Sequence, residues 1–338
     1  MINVAINGFG RIGRRVFRLL QDHQNIQVVA INDLADAKTL SHLLKYDSVH
    51  GLFKGNVTYN GNHIIVNNRK VKLLNSNHPK SIDWTPFSVD FVIESTGKFK
   101  NKPDLQHHIN NGAKQVILSV PAIEDDIKTI VLGVNDDSID GSERIISNAS
   151  CTTNNAAPMI NIVNNLCGIN QAYITTVHSY TTDQSLHDQP HRDLRRARAA
   201  SQSIVPTTTG AAKALTKIFP DLADVIGGCG IRVPVINGSL TDITFNVKKT
   251  VSIEDINSAF KNASKNEYKG ILEYTEDPIV SIDIVGNTHS CIFDAQMTSV
   301  IGNMVKIIGW YDNETGYSTR IIDLLCNLSV KNSILSSK

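Results

Sequence analysis

The stretch Ile2-Asn3-Val4-Ala5-Ile6-Asn7-Gly8-Phe9-Gly10-Arg11-Ile12-Gly13-Arg14-Arg15 decides how the first part of this chain folds. Val4 to Ile6 reads as a strand, and Arg11 to His23 carries apolar residues at helical spacing. Three glycines spaced G-x-G-x-x-G stand between and beside them. Each answers a separate physical demand. Gly8 permits a tight turn, Gly10 lets backbone approach a pyrophosphate, and Gly13 allows the helix to pack closely on its strand. The helix start adds unpaired N–H groups and a partial positive charge, which suit phosphate. Glycines at this spacing also occur in plain turns, so the motif needs company.

Asp33 supplies it. It stands 20 residues beyond Gly13, at the end of a second strand read over Gln27 to Ile31. An acid there can accept from a ribose 2′-hydroxyl and repels a 2′-phosphate, so NAD is expected over NADP. Capping of the next turn is the other reading of Asp33. Further out, Ala37 to Lys45 is helical, and Phe91 to Glu94 and Gln115 to Ser119 are β-rich. Alternation of this kind implies parallel strands joined by right-handed crossovers, hence a doubly wound α/β domain of Rossmann type. Asn56 to Leu74 interrupts it with hairpin strands and an Asn60-Gly61 turn.

After about residue 150 the texture changes. A helix is expected from Cys151 to Cys167, followed by strands at Ala172–Ser179, Gly230–Val235, Leu240–Lys248, Ile279–Ile284, Cys291–Asp294 and Met304–Tyr311. Helices at Gly210–Ile218 and Ile253–Ala263 sit among them. This predicts an α+β domain with a mixed or antiparallel sheet. The expected division is residues 1–150 and 151–315. A last helix, about Gly316 to Leu328, lies in a segment 316–338 expected to pack back on the first domain. Ser179 to Pro206 is long, polar and rich in arginine, and loops of that length usually carry function.

Composition excludes several classes. With 41% hydrophobic and 19% charged residues in 338, the chain is globular and long enough for two domains. A net charge of +1 gives no global attraction to nucleic acid or anionic membrane. No apolar run reaches the roughly 18 residues of a membrane span, and no secretory signal is visible. The five cysteines are scattered without a CxxC pair, which argues against a disulfide framework or metal site and for a reducing, cytoplasmic address.

Two residues suggest chemistry. Cys151, in Ser147-Asn148-Ala149-Ser150-Cys151-Thr152-Thr153-Asn154, falls at the expected helix start, where dipoles and free N–H groups favour a thiolate. Cys167 and Cys291 sit in apolar patterns and read as buried hydrophobes. His178 ends a β-rich run just before the long loop and becomes a plausible general base beside such a cysteine.

These segments resemble the phosphorylating glyceraldehyde-3-phosphate dehydrogenase family through essentially the whole chain. The carriers are INGFGRIGR from Ile6, LLKYDSVHG from Leu43, ESTGKF from Glu94, SNASCTTN from Ser147 and TTVHSYT from Thr175. DLRRARAA from Asp193, IVPTTTGAAKA from Ile204, RVPV from Arg232 and WYDNETGYS from Trp310 complete the series. The resemblance implies that Cys151 attacks an aldehyde carbon, that His178 moves the proton, and that phosphate opens the resulting thioester. It implies an anion site at Thr181 with Arg232 and another around Ser150, Thr152, Arg196, Thr209 and Gly210. Cofactor contacts carried over are Arg11, Ile12, Asp33, Asn77, Ser119 and Asn313, besides Gly8, Gly10 and Gly13. NAD, glyceraldehyde 3-phosphate, inorganic phosphate, a place in glycolysis and a homotetramer follow from it, with no metal.

The chain also departs from the pattern. Asn155 stands where many relatives carry a second cysteine, Asn77 where arginine is common, and Gln189-Pro190 where Leu-Pro is common. Arg192 to Arg198 also reads as a solvated or subunit-facing charge run. Erythrose-4-phosphate dehydrogenase is the sibling alternative, but the presence of Thr181, Thr209 and Gly210 favours the three-carbon substrate. A non-enzymatic nucleotide- or RNA-binding relative should have lost one of Cys151, His178, Arg232 or Asp33, and none is lost.

Overall fold

The computed structural model describes residues 1–336. The chain forms two compact units. One comprises Met1–Ile130, Asp137–Ala149 and the described part of Ser318–Lys338; the other comprises Val131–Asp136 and Ser150–Tyr317. The short piece Val131–Asp136, which sequence alone would leave with its neighbours, belongs to the second unit.

In chain order the first unit contains β1 (Ile2–Asn7), α1 (Arg11–Leu20), β2 (Ile26–Asn32), α2 (Ala37–Lys45), β3 (Val57–Asn60), β4 (His63–Val66) and β5 (Arg69–Leu74). Then come β6 (Phe91–Glu94), α3 (Lys102–Asn110), β7 (Gln115–Leu118) and β8 (Ile145–Ser147). The sheet order is β3-β4-β5-β2-β1-β6-β7-β8. From β5 through β8 every pairing is parallel, as the near-continuous apolar runs require. Winding reverses beside β1, where an open α/β sheet leaves a crevice beyond its carboxyl ends. Asn7 pairs with both Asn32 and Glu94, so the loops after β1, β2 and β6 leave the sheet level with one another.

Two local expectations shift. Asn60 pairs with His63, so the turn is Gly61-Asn62, one residue later than read. Its first position has φ +51°, which glycine takes without a Cβ clash. The following turn places Asn67 and Asn68 at φ +49° and +68°, the pattern of a mirror-image hairpin turn. α1 stops at Leu20 instead of His23, because the N–H groups of Gln21, Asp22 and His23 bond three residues back, tightening the last turn.

The second unit holds α4 (Cys151–Cys167), β9 (Ile169–Ser179), β10 (Val205–Thr207), α5 (Ala211–Ile218), β11 (Ile226–Val233) and β12 (Ser239–Val247). It continues with α6 (Ile253–Lys265), β13 (Leu272–Thr275), β14 (Cys291–Asp294), β15 (Ser299–Ile301) and β16 (Met304–Tyr311), and its last residues open α7 (Thr315–Ser336). The sheet order is β10-β11-β9-β12-β16-β14-β13, with β15 on β16. β9–β11 and β13–β14 are parallel and the remaining pairs antiparallel, a mixed sheet against which α4, α5 and α6 pack.

The strand expected over Ile279–Ile284 does not form. Asp283 turns its carboxylate back to accept from the Val280 N–H at 2.8 Å, closing a turn that competes with any ladder. Val280 and Ile282 stay exposed there, whereas Ile284 is buried. The Asp312 carboxylate caps α7 by accepting from the Glu314 and Thr315 N–H groups at 2.8 and 2.7 Å. Further along α7, Lys331 donates to the Ile139 carbonyl and Asn332 to the Gln115 side chain. Residues 337 and 338 of the expected terminal segment lie outside the described residues. Among the described residues no helix is long and apolar enough to cross a membrane.

Candidate active site

In the first unit the glycine turn is built by exclusion. Gly8 has φ +93°, and a Cβ there would lie 2.7 Å from the Thr96 nitrogen. A Cβ at Gly13 would lie 2.2 Å from the Gly8 carbonyl oxygen, so α1 and β1 can approach only without one. Gly10 differs: it is exposed, and nothing lies within 4 Å of where its Cβ would be. No side chain caps the first turn of α1. A helix start behind a bare glycine is a backbone arrangement that suits a pyrophosphate.

Asp33 is tied to backbone on both sides and caps the turn that follows β2. One carboxylate oxygen accepts from the Phe9 N–H at 2.7 Å, clamping β2 to the glycine turn, and the other accepts from the Ala35 N–H at 3.0 Å. Lone pairs remain on both oxygens for a hydroxyl donor. Arg11, the first residue of α1, forks onto Asp47 at 2.6 and 3.1 Å. Burial alone would raise the Asp47 carboxyl. Arg11 and the His50 and Val49 N–H groups overcome that and hold it well below the carboxylate range. The Arg11 guanidinium is thus engaged within the unit, and Ile12 beside it is half-buried. Ser119 is buried just past β7, its N–H bonded to the Glu94 carbonyl. Asn77 is exposed. Its neighbour Asn75 is the one that reaches the Asp33 and Leu34 carbonyls, at 3.0 and 2.9 Å.

In the second unit α4 begins at Cys151 because the Ser150 hydroxyl caps it, accepting from the Thr153 N–H at 3.1 Å. The preceding Ala149 is buried at φ +55°, a left-handed conformation that costs an L-residue about 1–2 kcal/mol and sets the entry to the helix. Cys151 Sγ lies 3.4 Å from Nε2 of His178, near the end of β9. His178 Nδ1 is 2.7 Å from the Ser179 carbonyl oxygen, which can only accept. Nδ1 therefore carries the ring proton and Nε2 turns a lone pair toward the thiol.

Arg232, on β11 in register with His178, donates from one terminal nitrogen to the Ser179 carbonyl and to the Thr181 hydroxyl, at 3.0 and 3.2 Å. The same nitrogen lies 3.0 Å from His178 Nδ1, donor facing donor. Burial and this cation together depress the imidazole to about 3, so it is neutral at physiological pH. Burial pushes the Cys151 thiol up, against the thiolate expectation, while Arg232 and the Thr152 N–H and hydroxyl pull it back down. Cys151 as a whole residue is half-buried.

Tyr311, at the end of β16, carries no sequence signal for a site role beyond its place in WYDNETGYS. Its hydroxyl is 2.9 Å from both the Thr152 and Thr176 hydroxyls, and its ring stands edge-on to His178, with centroids 5.9 Å apart. Thr152 is thus turned inward to Tyr311 and buried. Asn313 follows two residues on. Its carbonyl oxygen accepts from Ser179 and Ser239 hydroxyls, each at 2.9 Å, and from the Gly238 N–H at 3.3 Å. Three donors fix the amide's flip and leave its NH₂ half for a ligand.

The remaining expected anion-site residues also lie in this unit. Gly210 caps α5 with open space at its Cβ position, and Thr209 accepts from the Ala211 N–H. Arg196 donates to Thr207, to the Thr208 carbonyl and to Asp183. Among the described residues no group of three or more His, Cys, Asp or Glu side chains could hold a metal.

Comparison with known proteins agrees along most of the length. Residues 2–102 match the family model for the NAD binding domain of glyceraldehyde 3-phosphate dehydrogenase, and residues 150–313 match that for its C-terminal domain. A glyceraldehyde-3-phosphate dehydrogenase of Geobacillus stearothermophilus is 50% identical over 332 residues, covering 98% of this chain and 99% of that protein. Glyceraldehyde-3-phosphate dehydrogenase 2 of Streptomyces avermitilis is 52% identical over 326 residues, covering 96% and 97%, and enzyme 1 of Bacillus cereus is 48% identical over 333 residues, covering 98% and 99%.

Proposed function

This chain belongs to the glyceraldehyde-3-phosphate dehydrogenase family, and from that premise we propose that it oxidises D-glyceraldehyde 3-phosphate to 1,3-bisphosphoglycerate with NAD and inorganic phosphate, through a thioester on Cys151. The observation that carries the reading is the 3.4 Å approach of Cys151 Sγ to an imidazole nitrogen whose lone pair is aimed by the Ser179 carbonyl.

The thiol proton passes to His178 Nε2 as sulfur attacks the aldehyde carbon, forming a C–S bond and an oxyanion. His178 returns that proton to the oxygen, giving a hemithioacetal, and takes it back when the carbon is oxidised. NAD, when bound, supplies the acceptor for the departing hydride. Inorganic phosphate then attacks the thioester carbonyl, the C–S bond breaks, the sulfur takes back the proton held by His178, and the product leaves as an acyl phosphate once the phosphate's own proton has passed to solvent. A thioester retains energy that a free acid would lose, which is why a sulfur nucleophile suits this reaction. General-base transfer of this kind contributes about 10²–10⁴ in rate. A neutral imidazole at physiological pH is the form that the base step needs.

Arg232 with Thr181, and Arg196 with Ser150, Thr209, Gly210 and the Thr152 N–H, form the two anion sites. Their hydroxyls, guanidinium forks and helix-start N–H groups are the donors that phosphate oxygens take. Gly8, Gly10, Gly13, Arg11, Ile12, Asp33 and Ser119 serve the dinucleotide, and Asn313 presents its NH₂ to the carboxamide. Asn77, exposed and short, contributes least. We place the enzyme in the cytoplasm as a glycolytic homotetramer. Five free thiols suit a reducing compartment. Leu186, Leu194 and Ile204 of the long loop, 61%, 81% and 70% exposed, suit burial against other subunits.

Steady-state rates with glyceraldehyde 3-phosphate and erythrose 4-phosphate, each with NAD or NADP and with or without phosphate, test the assignment. The expected winner is the three-carbon aldehyde with NAD, dependent on phosphate. Cys151→Ser should remove turnover. Near-normal acyl phosphate production by that variant would end the proposal.

A further inference from the structure

The donors assigned above to two separate anion sites already share an anion supplied by the chain. Asp183, in the loop after β9, accepts from the Thr181 hydroxyl with one carboxylate oxygen and from an Arg196 terminal nitrogen, at 2.6 Å, with the other. Thr181 in turn accepts from Arg232. One carboxylate therefore links Arg232–Thr181 on one side to Arg196 on the other. Resting on the proposed phosphate chemistry of these residues, we infer that Asp183 is an internal stand-in for phosphate, which the incoming anion must displace, and that it sets the selectivity of the two sites for phosphate over weaker anions.

The surroundings support displacement over permanent structure. Arg196 is held independently of Asp183: Nε donates to the Thr207 hydroxyl at 2.9 Å and a terminal nitrogen to the Thr208 carbonyl at 3.3 Å. Asp193 lies 3.6 Å from Nε and accepts from Thr207 at 2.9 Å, so a second carboxylate steadies the guanidinium from behind. Arg232 is likewise held by the Ser179 carbonyl without help from Asp183. The Arg196 side chain is 17% exposed, whereas Asp183 is 40% exposed. The anion is the more exposed partner and the cation the anchored one. Thr181, Arg232 and Arg196 together draw the Asp183 carboxyl below its ordinary value against the effect of burial, so it is charged whenever the enzyme works.

A charged internal ligand has a definite consequence. Any anion entering either site must outbid a carboxylate that reaches donors on both sides. A phosphate dianion with three or more oxygens can do so, whereas chloride or a small carboxylate offers less charge or fewer acceptors. The same charge lies close enough to favour protonation of His178, partly countering Arg232 and burial. Loss of Asp183 should thus tighten anion binding indiscriminately and cost selectivity.

Asp183→Asn keeps the shape and removes the charge. Calorimetric titration of inorganic phosphate into the NAD-loaded enzyme, together with the KM for phosphate, should show binding tightened by about threefold to tenfold, the scale for removing one partly screened like charge. Inhibition by chloride and sulfate should strengthen by at least as much, with kcat changed less than KM. Asp183→Ser, which removes the carboxylate's reach as well, should move phosphate binding in the same direction. Unchanged or weakened phosphate binding in both variants, with the fold intact by circular dichroism, would overturn the inference, since Asp183 would then hold the arginine in place or do nothing. Failure of the wild type to bind or require phosphate would instead sink the proposed function.

Discussion

The nucleotide turn of the first unit and the thiol centre of the second are built from opposite materials. The turn is made by removing side chains: Gly8 and Gly13 exist because a Cβ would strike backbone at 2.7 and 2.2 Å, and Gly10 leaves open space. The thiol centre is made by adding them. Cys151, His178, Arg232 and Tyr311 come from α4, β9, β11 and β16, and their charges and hydrogen bonds tune one another. Backbone offers fixed donors that any phosphate can use, whereas proton movement needs groups that ionise. The two regions should accordingly fail in different ways.

The thiol centre should fail hardest. His178→Asn keeps a polar side chain but removes the lone pair 3.4 Å from the sulfur, so turnover should fall by about 10²–10⁴ with the KM for NAD nearly unchanged. Because the wild-type imidazole loses its proton at about 3, it is already the base form across the working range. The acid limb of the wild-type rate profile then reports the thiol, and iodoacetamide alkylation of Cys151 at neutral pH should slow in the variant. Alkylation at the wild-type rate would show that the imidazole does not govern the thiol.

The glycine turn offers a paired test. Gly13→Ala forces a methyl onto the Gly8 carbonyl, and a backbone neighbour cannot step aside, so stability should drop by about 1–3 kcal/mol and NAD binding with it. Gly10→Ala meets nothing in the protein and has φ −73°, which alanine accepts. Its thermal midpoint should stay put while the KM for NAD rises severalfold. If Gly10→Ala unfolds as readily as Gly13→Ala, the glycines are serving packing alone.

The same contrast explains what sequence could and could not disclose. The turn is contiguous, so its glycines, the strand before it, the helix after it and Asp33 are legible as one pattern with a period and a spacing. The doubly wound sheet follows from repeating that pattern. Cys151 and His178 were legible as candidates because a capped helix start and a strand end are local features. Tyr311 was not, since its role exists only where β16 brings its hydroxyl to Thr152 and Thr176. Asp183 was hidden for the same reason: an acid in a polar loop has no period, and its meaning comes from Thr181 and Arg196 on either side. The false strand at 279–284 shows the converse error. A run rich in β-branched residues reads as a strand until one aspartate, Asp283, folds back on its own backbone.

Tyr311→Phe sharpens the comparison at its finest grain, because it alters the thiol centre while leaving the thiol, the imidazole and the guanidinium in place. The ring stays and can still stand edge-on to His178. What is lost is one hydroxyl joining Thr152 to Thr176, both buried, so two hydroxyls lose a partner at once. Such losses cost about 1–3 kcal/mol in stability. Thr176 retains a longer bond to the Leu240 carbonyl at 3.4 Å, which should keep the cost at the low end. Thr152 has more to lose, since its hydroxyl and N–H help draw the Cys151 thiol down. With the hydroxyl free to rotate, kcat should fall by about threefold to tenfold while the KM for NAD holds. A stability loss with unchanged kcat would make Tyr311 a packing residue of β16, and the thiol centre would then depend on fewer strands than its hydrogen bonds connect.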